Sequence, residues 1–248
     1  MDFESIYEEY HSYPSMFGEA EVFVVESADG TPMRVLFVDG GFQSATYVGE
    51  KRFEPPFAYC RAFDQLFSVA PDARRILLLG GGAYSYPKHV LTRRPEVSMD
   101  VVEIDPAVIE IARCHFYVDE LEAACGGRLR SFAMDGLEFL RAAEAGFYDA
   151  VVDDSFAGTV QDSALLGSEG LRLAKSCMVE GGVYMLNGHA RSADDGYGYR
   201  EIEAVNDALR SAFAHVQRRD VDDTEFAGCT NTVFMASDRD FGLAGFAY

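Results

Sequence analysis

Hydrophobic and polar residues alternate over short stretches between residues 21 and 48. Turn sequences, Ala28-Asp29-Gly30 and Asp39-Gly40-Gly41, separate these stretches, as expected of hairpin strands. The apolar positions of the pattern are Val22, Val24, Leu36, Val38, Phe42 and Tyr47. We therefore expect a hairpin or a three-stranded β-meander here, followed by one helix over residues 53–69 that has two prolines near its start.

The hydrophobic period changes after residue 75, where short apolar runs alternate with helix-compatible segments. The continuous apolar run at 75–79 is typical of a strand that is buried on both faces of a sheet. The predicted strands are 75–79, 99–104, 129–133, 148–152, 182–186 and 230–236. The predicted helices are a segment ending at 91, and residues 106–116, 136–143, 163–178 and 199–213.

This alternation predicts an α/β fold with a doubly wound, mostly parallel sheet. The β-meander would form a small N-terminal domain, residues 1–54, and the α/β domain would cover residues 55–248. In such sheets a ligand binds beyond the carboxyl ends of the strands, near the point where the strand order reverses. The residues that follow the predicted strands are therefore the candidate site.

The composition and charge of the chain exclude some classes of binding partner. The chain has 21 Lys and Arg against 41 Asp and Glu, a formal net charge of −20, which disfavours binding to nucleic acid and to anionic membrane surfaces. Residues 1–10 lack the apolar centre of a signal peptide, and no membrane-length apolar run follows. The five dispersed cysteines are typical of reduced thiols in a cytoplasmic protein. With no clustered Cys or His spacing, we predict no metal site and expect a small-molecule partner.

A turn of three glycines, Gly80, Gly81 and Gly82, follows the first buried strand. Glycines allow unusual backbone angles and let the chain pass close to a ligand. The turn is not a dinucleotide fingerprint, because Ser85 stands where the last glycine would be, and it lacks the Lys of a phosphate-binding loop. Taken alone, it is also compatible with a simple tight turn between a strand and a helix.

Carboxylates follow the next three strands, at Glu103 and Asp105, at Asp135, and at Asp154. Glu103 lies 21 positions beyond Gly82, which suits a side chain that accepts hydrogen bonds from ribose hydroxyls. Any one of these residues could instead cap a helix. Together, at consecutive strand ends, they favour a pocket for a nucleoside that carries positive charge.

With these motifs in this order, the chain resembles the spermidine synthase (polyamine aminopropyltransferase) family, which has a methyltransferase-like Rossmann fold. The matching stretches are residues 38–43, 76–82, 101–105, 134–136 and 148–155, and residues 165–187 are also similar. The resemblance implies a transferase of polyamine biosynthesis and a homodimer. It also implies an adenosyl sulfonium co-substrate, either decarboxylated S-adenosylmethionine or S-adenosylmethionine, and no permanently bound cofactor.

The resemblance also assigns roles to individual positions. Asp154 matches the catalytic aspartate, which would orient the acceptor amine and take its proton. Phe53 and Glu54, together with Asp154, would lie beside the acceptor. The residues implied to contact the nucleoside ligand are Gln43, Gly80, Gly81, Gly82, Glu103, Asp105, Asp135 and Gly136.

Three departures from the family pattern concern the substrate end of the site. Ala83 replaces the aspartate of G-G-G-D-G-G, Ala157 replaces the second aspartate of D-S-S-D-P, and Phe53 replaces a tyrosine. Each lost charge-assisted hydrogen bond removes about 1.5–3 kcal/mol of binding free energy, so we expect an acceptor other than putrescine. Two other functions stay open: an S-adenosylmethionine-dependent methyltransferase of small molecules, and a non-catalytic nucleoside-binding homologue.

Overall fold

A four-stranded antiparallel sheet precedes the α/β part of the chain in the computed structural model, which describes residues 6–157, 160–161, 164–189, 197–223, 230–242 and 245–246. Its strands, paired in chain order, are β1 (Tyr10–Ser15), β2 (Gly18–Glu26), β3 (Pro32–Val38) and β4 (Gly41–Tyr47). The three-stranded meander, one of the two alternatives predicted for residues 21–48, is confirmed by β2, β3 and β4, whereas β1 precedes that range and was not predicted. Because β1 is half-exposed and contains Pro14, it lacks the apolar alternation that marks the other three.

The connection between the two sheets contains three short helical segments. A 3-10 helix covers Gly49–Lys51, and two α-helices follow, α1 (Ala58–Ala62) and α2 (Gln65–Val69). The single helix predicted over 53–69 was thus wrong. Pro55 and Pro56 lack backbone donors and restrict the residues before them, so regular helix begins only at Ala58.

The α/β part is built on a sheet of seven strands. The first four are β5 (Arg75–Leu79), β6 (Ser98–Glu103), β7 (Leu129–Ala133) and β8 (Tyr148–Asp153), and a small hairpin follows, β9 (Phe156–Ala157) with β10 (Val160–Gln161). The last three are β11 (Met178–His189), β12 (His215–Asp222) and β13 (Thr230–Ser237). The spatial order is β12-β13-β11-β8-β5-β6-β7. The five neighbouring strands from β11 to β7 pair in parallel, whereas β13 pairs antiparallel with both β11 and β12, and this mostly parallel sheet confirms the predicted fold class.

In the part of the chain that the structure describes, six helices connect these strands: α3 (Ser85–Arg93), α4 (Pro106–His115), α5 (Val118–Cys125), α6 (Gly136–Ala142), α7 (Ser168–Cys177) and α8 (Tyr197–Ala212). The sequence pattern missed α5, β12 and the small hairpin. The strand order reverses at β5, whose neighbours are β6 and β8, and this places the ligand side at their carboxyl ends. Within the described ranges, no helix is both long and apolar enough to cross a membrane.

Apolar side chains cover both faces of the seven-stranded sheet. Along β5, Ile76 and Leu78 belong to one core cluster and Leu77 and Leu79 to the other, as expected of a strand with two buried faces. A third cluster joins the N-terminal sheet to α4, and it consists of Ala20, Val22, Leu36, Val38, Ala83, Val108, Ile111 and Phe116. The two sheets are therefore in apolar contact. The domain boundary at residue 54 stays a prediction.

Candidate active site

Gly80 brings the glycine turn directly against the end of β8. Its φ is +87°, and a Cβ at this position would lie 2.3 Å from the carbonyl oxygen of Asp154. The neighbouring backbone is fixed by hydrogen bonds from Gly80 N to Val102 O (2.9 Å) and from Asp154 N to Leu79 O (2.8 Å). Because both the backbone angle and the space exclude a side chain, only glycine fits where β5 and β8 diverge.

The carboxylate of Glu103 holds the rest of the turn. Its Oε2 accepts hydrogen bonds from Gly81 N (2.9 Å) and Gly82 N (3.2 Å), and its Oε1 accepts one from Asp105 N (3.1 Å). Burial raises the pKa of Glu103, and these backbone donors oppose that rise. A carboxylate oxygen has two lone-pair directions, so Oε1 keeps one for a further donor such as a ribose hydroxyl.

Strand β4 of the N-terminal sheet forms the opposite wall of the glycine turn. A Cβ on Gly82 would lie 3.3 Å from the Cβ of Ser44, and Ser85 Oγ donates to Ala45 O at 2.8 Å. Gln43, which was predicted to contact the ligand, precedes Ser44 on this strand, and its carbonyl oxygen lies 3.9 Å from that Gly82 Cβ position. The fold thus brings Gln43 to the glycine turn.

Asp105 and Asp135 both cap helices in the described structure. Asp105 Oδ1 accepts from Ala107 N at 2.9 Å, and its Oδ2 accepts from Met16 N at 2.6 Å, which ties the N-terminal sheet to α4. Asp135 Oδ1 accepts from Glu138 N at 2.9 Å. Both aspartates therefore cap helices in the structure, as the alternative interpretation of the sequence allowed. Contact of either aspartate, or of Gly136, with a ligand stays a prediction.

Asp154 lies at the carboxyl end of β8 and is held by two side chains from other elements. Tyr59 on α1 donates from Oη to Asp154 Oδ2 at 2.9 Å, and Asn187 on β11 donates from Nδ2 to Oδ1 at 2.8 Å. Desolvation raises the pKa of Asp154 to about 7, the charge of buried Asp153 adds to the rise, and the two hydrogen bonds oppose it. A carboxylate with this pKa can exchange a proton near neutral pH.

The neighbouring Asp153 has a different, structural role. It is fully buried, its Oδ2 accepts from Tyr184 Oη at 2.6 Å, and its Oδ1 accepts from Ser155 N at 3.1 Å. These contacts orient the chain that leaves β8. Of the two consecutive aspartates, Asp154 is only half-buried and is therefore the one open to a substrate.

Sequence reasoning missed Tyr59 as a partner of Asp154. Phe53, which was predicted beside the acceptor, lies 4.9 Å from the guanidinium of Arg52, and Glu54 is exposed. Tyr59 stands six positions beyond Phe53, within the segment that was predicted as one uninterrupted helix. Asn187 offered a clearer signal, because it follows the fifth predicted strand at the ligand edge of the sheet.

The structure describes the side chain of Ala83, but not that of Ala157, the other position where the family has an aspartate. Ala83 is fully buried in the apolar cluster between the N-terminal sheet and α4. The backbone of Phe156 and Ala157 forms β9, but their side chains lie outside the described residues. The expectation of an apolar acceptor pocket therefore rests on sequence, whereas the apolar surroundings of Ala83 are a structural observation.

The strand order and the candidate site at the reversal point define an α/β protein with a Rossmann-like sheet and a small N-terminal sheet packed against it. Residues 65–217, more than half of the chain, match the family described as the spermine/spermidine synthase domain, and the chain belongs to this family. This confirms the resemblance inferred from the motifs.

Two curated relatives carry transferase names. The chain is 31% identical over 137 residues to putrescine N-methyltransferase 3 of Nicotiana tabacum, a match that covers 54% of this chain and 33% of that protein. It is 30% identical over 140 residues to a polyamine aminopropyltransferase of Vibrio vulnificus, covering 56% and 44%. The chain thus spans between a third and a half of the length of these relatives.

The fold is also that of a solved structure. A probable spermidine synthase from Corynebacterium glutamicum superposes with a TM-score of 0.74 at 19% identity, covering 94% of this chain and 81% of that one. At this identity, the superposition shows the fold alone.

Proposed function

We propose that the protein transfers an alkyl group from an adenosyl sulfonium to an amine, with decarboxylated S-adenosylmethionine as donor and an acceptor other than putrescine. The observation that carries this proposal is the arrangement at Asp154. A carboxylate with a pKa of about 7 is held by Tyr59 and Asn187, and its own backbone touches the glycine turn. Amine and nucleoside would therefore meet at one edge of the sheet.

In the proposed reaction, the amine nitrogen attacks the carbon bonded to the sulfonium sulfur. A C–N bond forms, the C–S bond breaks, and its electron pair stays on sulfur, so that methylthioadenosine leaves. Asp154 accepts the proton that the nitrogen loses. The hydrogen bonds from Tyr59 and Asn187 fix both carboxylate oxygens, which favours catalysis by alignment of the reacting atoms.

The nucleoside half of the site supports an adenosyl ligand. Glu103 keeps an acceptor direction on Oε1 beside the glycine turn, and the backbone carbonyl oxygen of Gln43 on β4 lies near Gly82 on the other side of that turn. The ligand would lie between the two sheets. Membership in the spermine/spermidine synthase domain family, with a polyamine aminopropyltransferase among the relatives, supports the same donor class.

The acceptor is proposed to be more apolar than a free diamine. Ala83 and Ala157 stand where the family has carboxylates, and Ala83 is buried among apolar side chains. A buried second ammonium group would lack its counter-charge at these positions. A monoamine, or an amine with an apolar substituent, fits this environment better than putrescine.

The test is a product assay with two donors and a panel of amines. Decarboxylated S-adenosylmethionine should release methylthioadenosine with at least one monoamine, faster than with putrescine, and Asp154→Asn should remove this turnover while calorimetry shows retained nucleoside binding. If methylthioadenosine binds but no amine is alkylated, the protein is the non-catalytic homologue and the proposal fails. Absence of both binding and turnover would also overturn it.

A methyltransferase is the second candidate, favoured by the putrescine N-methyltransferase among the relatives. Loss of the aspartate at Ala83 removes a negative charge that would oppose the carboxylate of S-adenosylmethionine. The same assay separates the two functions, since methyl transfer releases S-adenosylhomocysteine and leaves the amine heavier by one methyl group.

A further inference from the structure

Glu9 and His11, at the start of the N-terminal sheet, meet His115, which is distant in sequence, where β1 packs on α4. One ligand atom from each of Glu9, His11 and His115 lies within 4.8 Å of those of the other two. His11 Nε2 is 3.4 Å and His115 Nδ1 is 3.8 Å from the same oxygen, Glu9 Oε1. The two imidazole rings have their centroids 4.4 Å apart.

This cluster is separate from the candidate active site. His115 ends α4, whereas Asp105 caps the start of that helix near the glycine turn. The ten residues between these ends span about 15 Å at 1.5 Å per residue. A ligand at the cluster would therefore not contact Asp154 or the glycine turn.

Neighbouring groups already orient two of the three side chains, those of His115 and Glu9. Tyr13 Oη is 2.7 Å from His115 Nε2, which leaves Nδ1 of that ring on the side of Glu9. Arg34 donates to Glu9 Oε2 at 2.7 Å and to the carbonyl oxygen of His115 at 2.6 Å. The bond from Arg34 thereby leaves Oε1 of Glu9 directed toward the imidazoles. A metal-ligating histidine usually has a hydrogen bond on its other ring nitrogen, as His115 has with Tyr13.

We propose that Glu9, His11 and His115 bind one zinc ion, which ties β1 to the end of α4. Bonds of about 2.0–2.2 Å in a tetrahedral site separate ligand atoms by about 3.3–3.6 Å. The two distances to Glu9 Oε1 are at or slightly above this range, so small side-chain rotations close the site. Two imidazoles and a carboxylate are a zinc donor set that leaves a fourth position for water.

The spacing of histidines along the chain gives no sign of this site, because 104 positions separate His11 from His115. Only the packing of β1 against α4 makes them neighbours. The positive charge of Arg34 opposes a dication, but its guanidinium is bound to the far oxygen of Glu9. We therefore expect zinc to bind tightly enough to be measured, though more weakly than at a site without that charge.

The test is calorimetry with zinc chloride on the full chain, with Cys114→Ser as the background because Cys114 is an exposed thiol next to His115. We expect one zinc ion per chain at the cluster. The pair His11→Asn with His115→Asn should lose that ion, and Tyr13→Phe should weaken it about tenfold. The matched control His215→Asn, on β12, should bind zinc as the background does.

A second readout does not depend on affinity. Cobalt(II) in the background protein should give the intense visible absorption of a tetrahedral site, and the double histidine variant should not. Thermal midpoints without metal show whether each variant is folded. The proposal is overturned if the background binds no zinc, or if the folded double variant binds zinc and cobalt as the background does. Neither result depends on transferase activity.

Discussion

Tyr59 donates a 2.9 Å hydrogen bond to Asp154, joining α1 to the end of β8 across 95 positions of sequence. With Asn187 bound to the other carboxylate oxygen, both oxygens of Asp154 are held by described side chains. Burial of Tyr59 raises the pKa of its own phenol, so the group stays a proton donor at neutral pH. The aspartate can therefore ionise while its position is fixed.

Removing this donor changes the titration of Asp154. The hydrogen bond stabilises the charged carboxylate, so Tyr59→Phe should raise the pKa of Asp154 above its value of about 7. The bend in the pH–kcat profile then moves to higher pH. The matched control is Tyr184→Phe, which removes a similar hydrogen bond from Asp153 instead. If both variants leave the bend in place, Tyr59 does not control the base.

Replacing Glu103 by Gln tests the support of the glycine turn. The carboxylate accepts from three backbone N–H groups, whereas an amide side chain must present its NH₂ to at least one of them. We expect a loss of about 1–3 kcal/mol in the free energy of unfolding and weaker nucleoside binding. Chemical denaturation measures the first effect. Glu180→Gln, at an exposed position, should change stability little, and equal effects would contradict the assigned role.

Gly80→Ala separates backbone strain from steric conflict. The added methyl would lie 2.3 Å from the carbonyl oxygen of Asp154, in addition to the strain of φ +87°. Gly49 has φ +84° and no atom within 4 Å of the position that a Cβ would take, so Gly49→Ala reports the strain alone, about 1–2 kcal/mol. We expect a clearly larger loss of unfolding free energy for Gly80→Ala. Similar losses would show that the turn relaxes away from β8.

Restoring the family aspartate at Ala83 should not restore putrescine turnover. The side chain is buried among apolar residues, so Ala83→Asp would place a carboxylate there without a partner. We expect a loss of several kcal/mol in unfolding free energy, measured by denaturation. The control Ala123→Asp lies at an exposed position of α5 and should cost far less. A stable Ala83→Asp protein that gains putrescine turnover would contradict the account of this end of the site.

Most of the parallel sheet was predictable because β5, β6 and β8 are buried on both faces, and β7 still carries a short strand-like pattern. The predicted bounds of β5 and β7, 75–79 and 129–133, agree with the structure at every residue. The missed strands lie at sheet edges, where one side is exposed to solvent. β12, with the sequence HVQRRDVD, is largely polar and therefore has no strand-like hydrophobic pattern.

The candidate site was predictable where it follows strand ends and not where distant elements meet. Glu103 and Asp154 could be found because each comes directly after an apolar run. Tyr59 could not, since its contact depends on how α1 packs against the end of β8. The capping roles of Asp105 and Asp135 were open alternatives, and the structure contains both caps.

The pH dependence of kcat with saturating donor and amine tests the central claim most directly, namely that Asp154 is the base of an alkyl transfer. Because the pKa of Asp154 is raised to about 7, its basic form appears as pH rises through neutrality. We predict that kcat increases about tenfold per pH unit below 7 and levels off above it, and that Asp154→Asn lowers kcat by about 10²–10⁴ and removes the bend. An unchanged rate and profile in folded Asp154→Asn protein would contradict the claim.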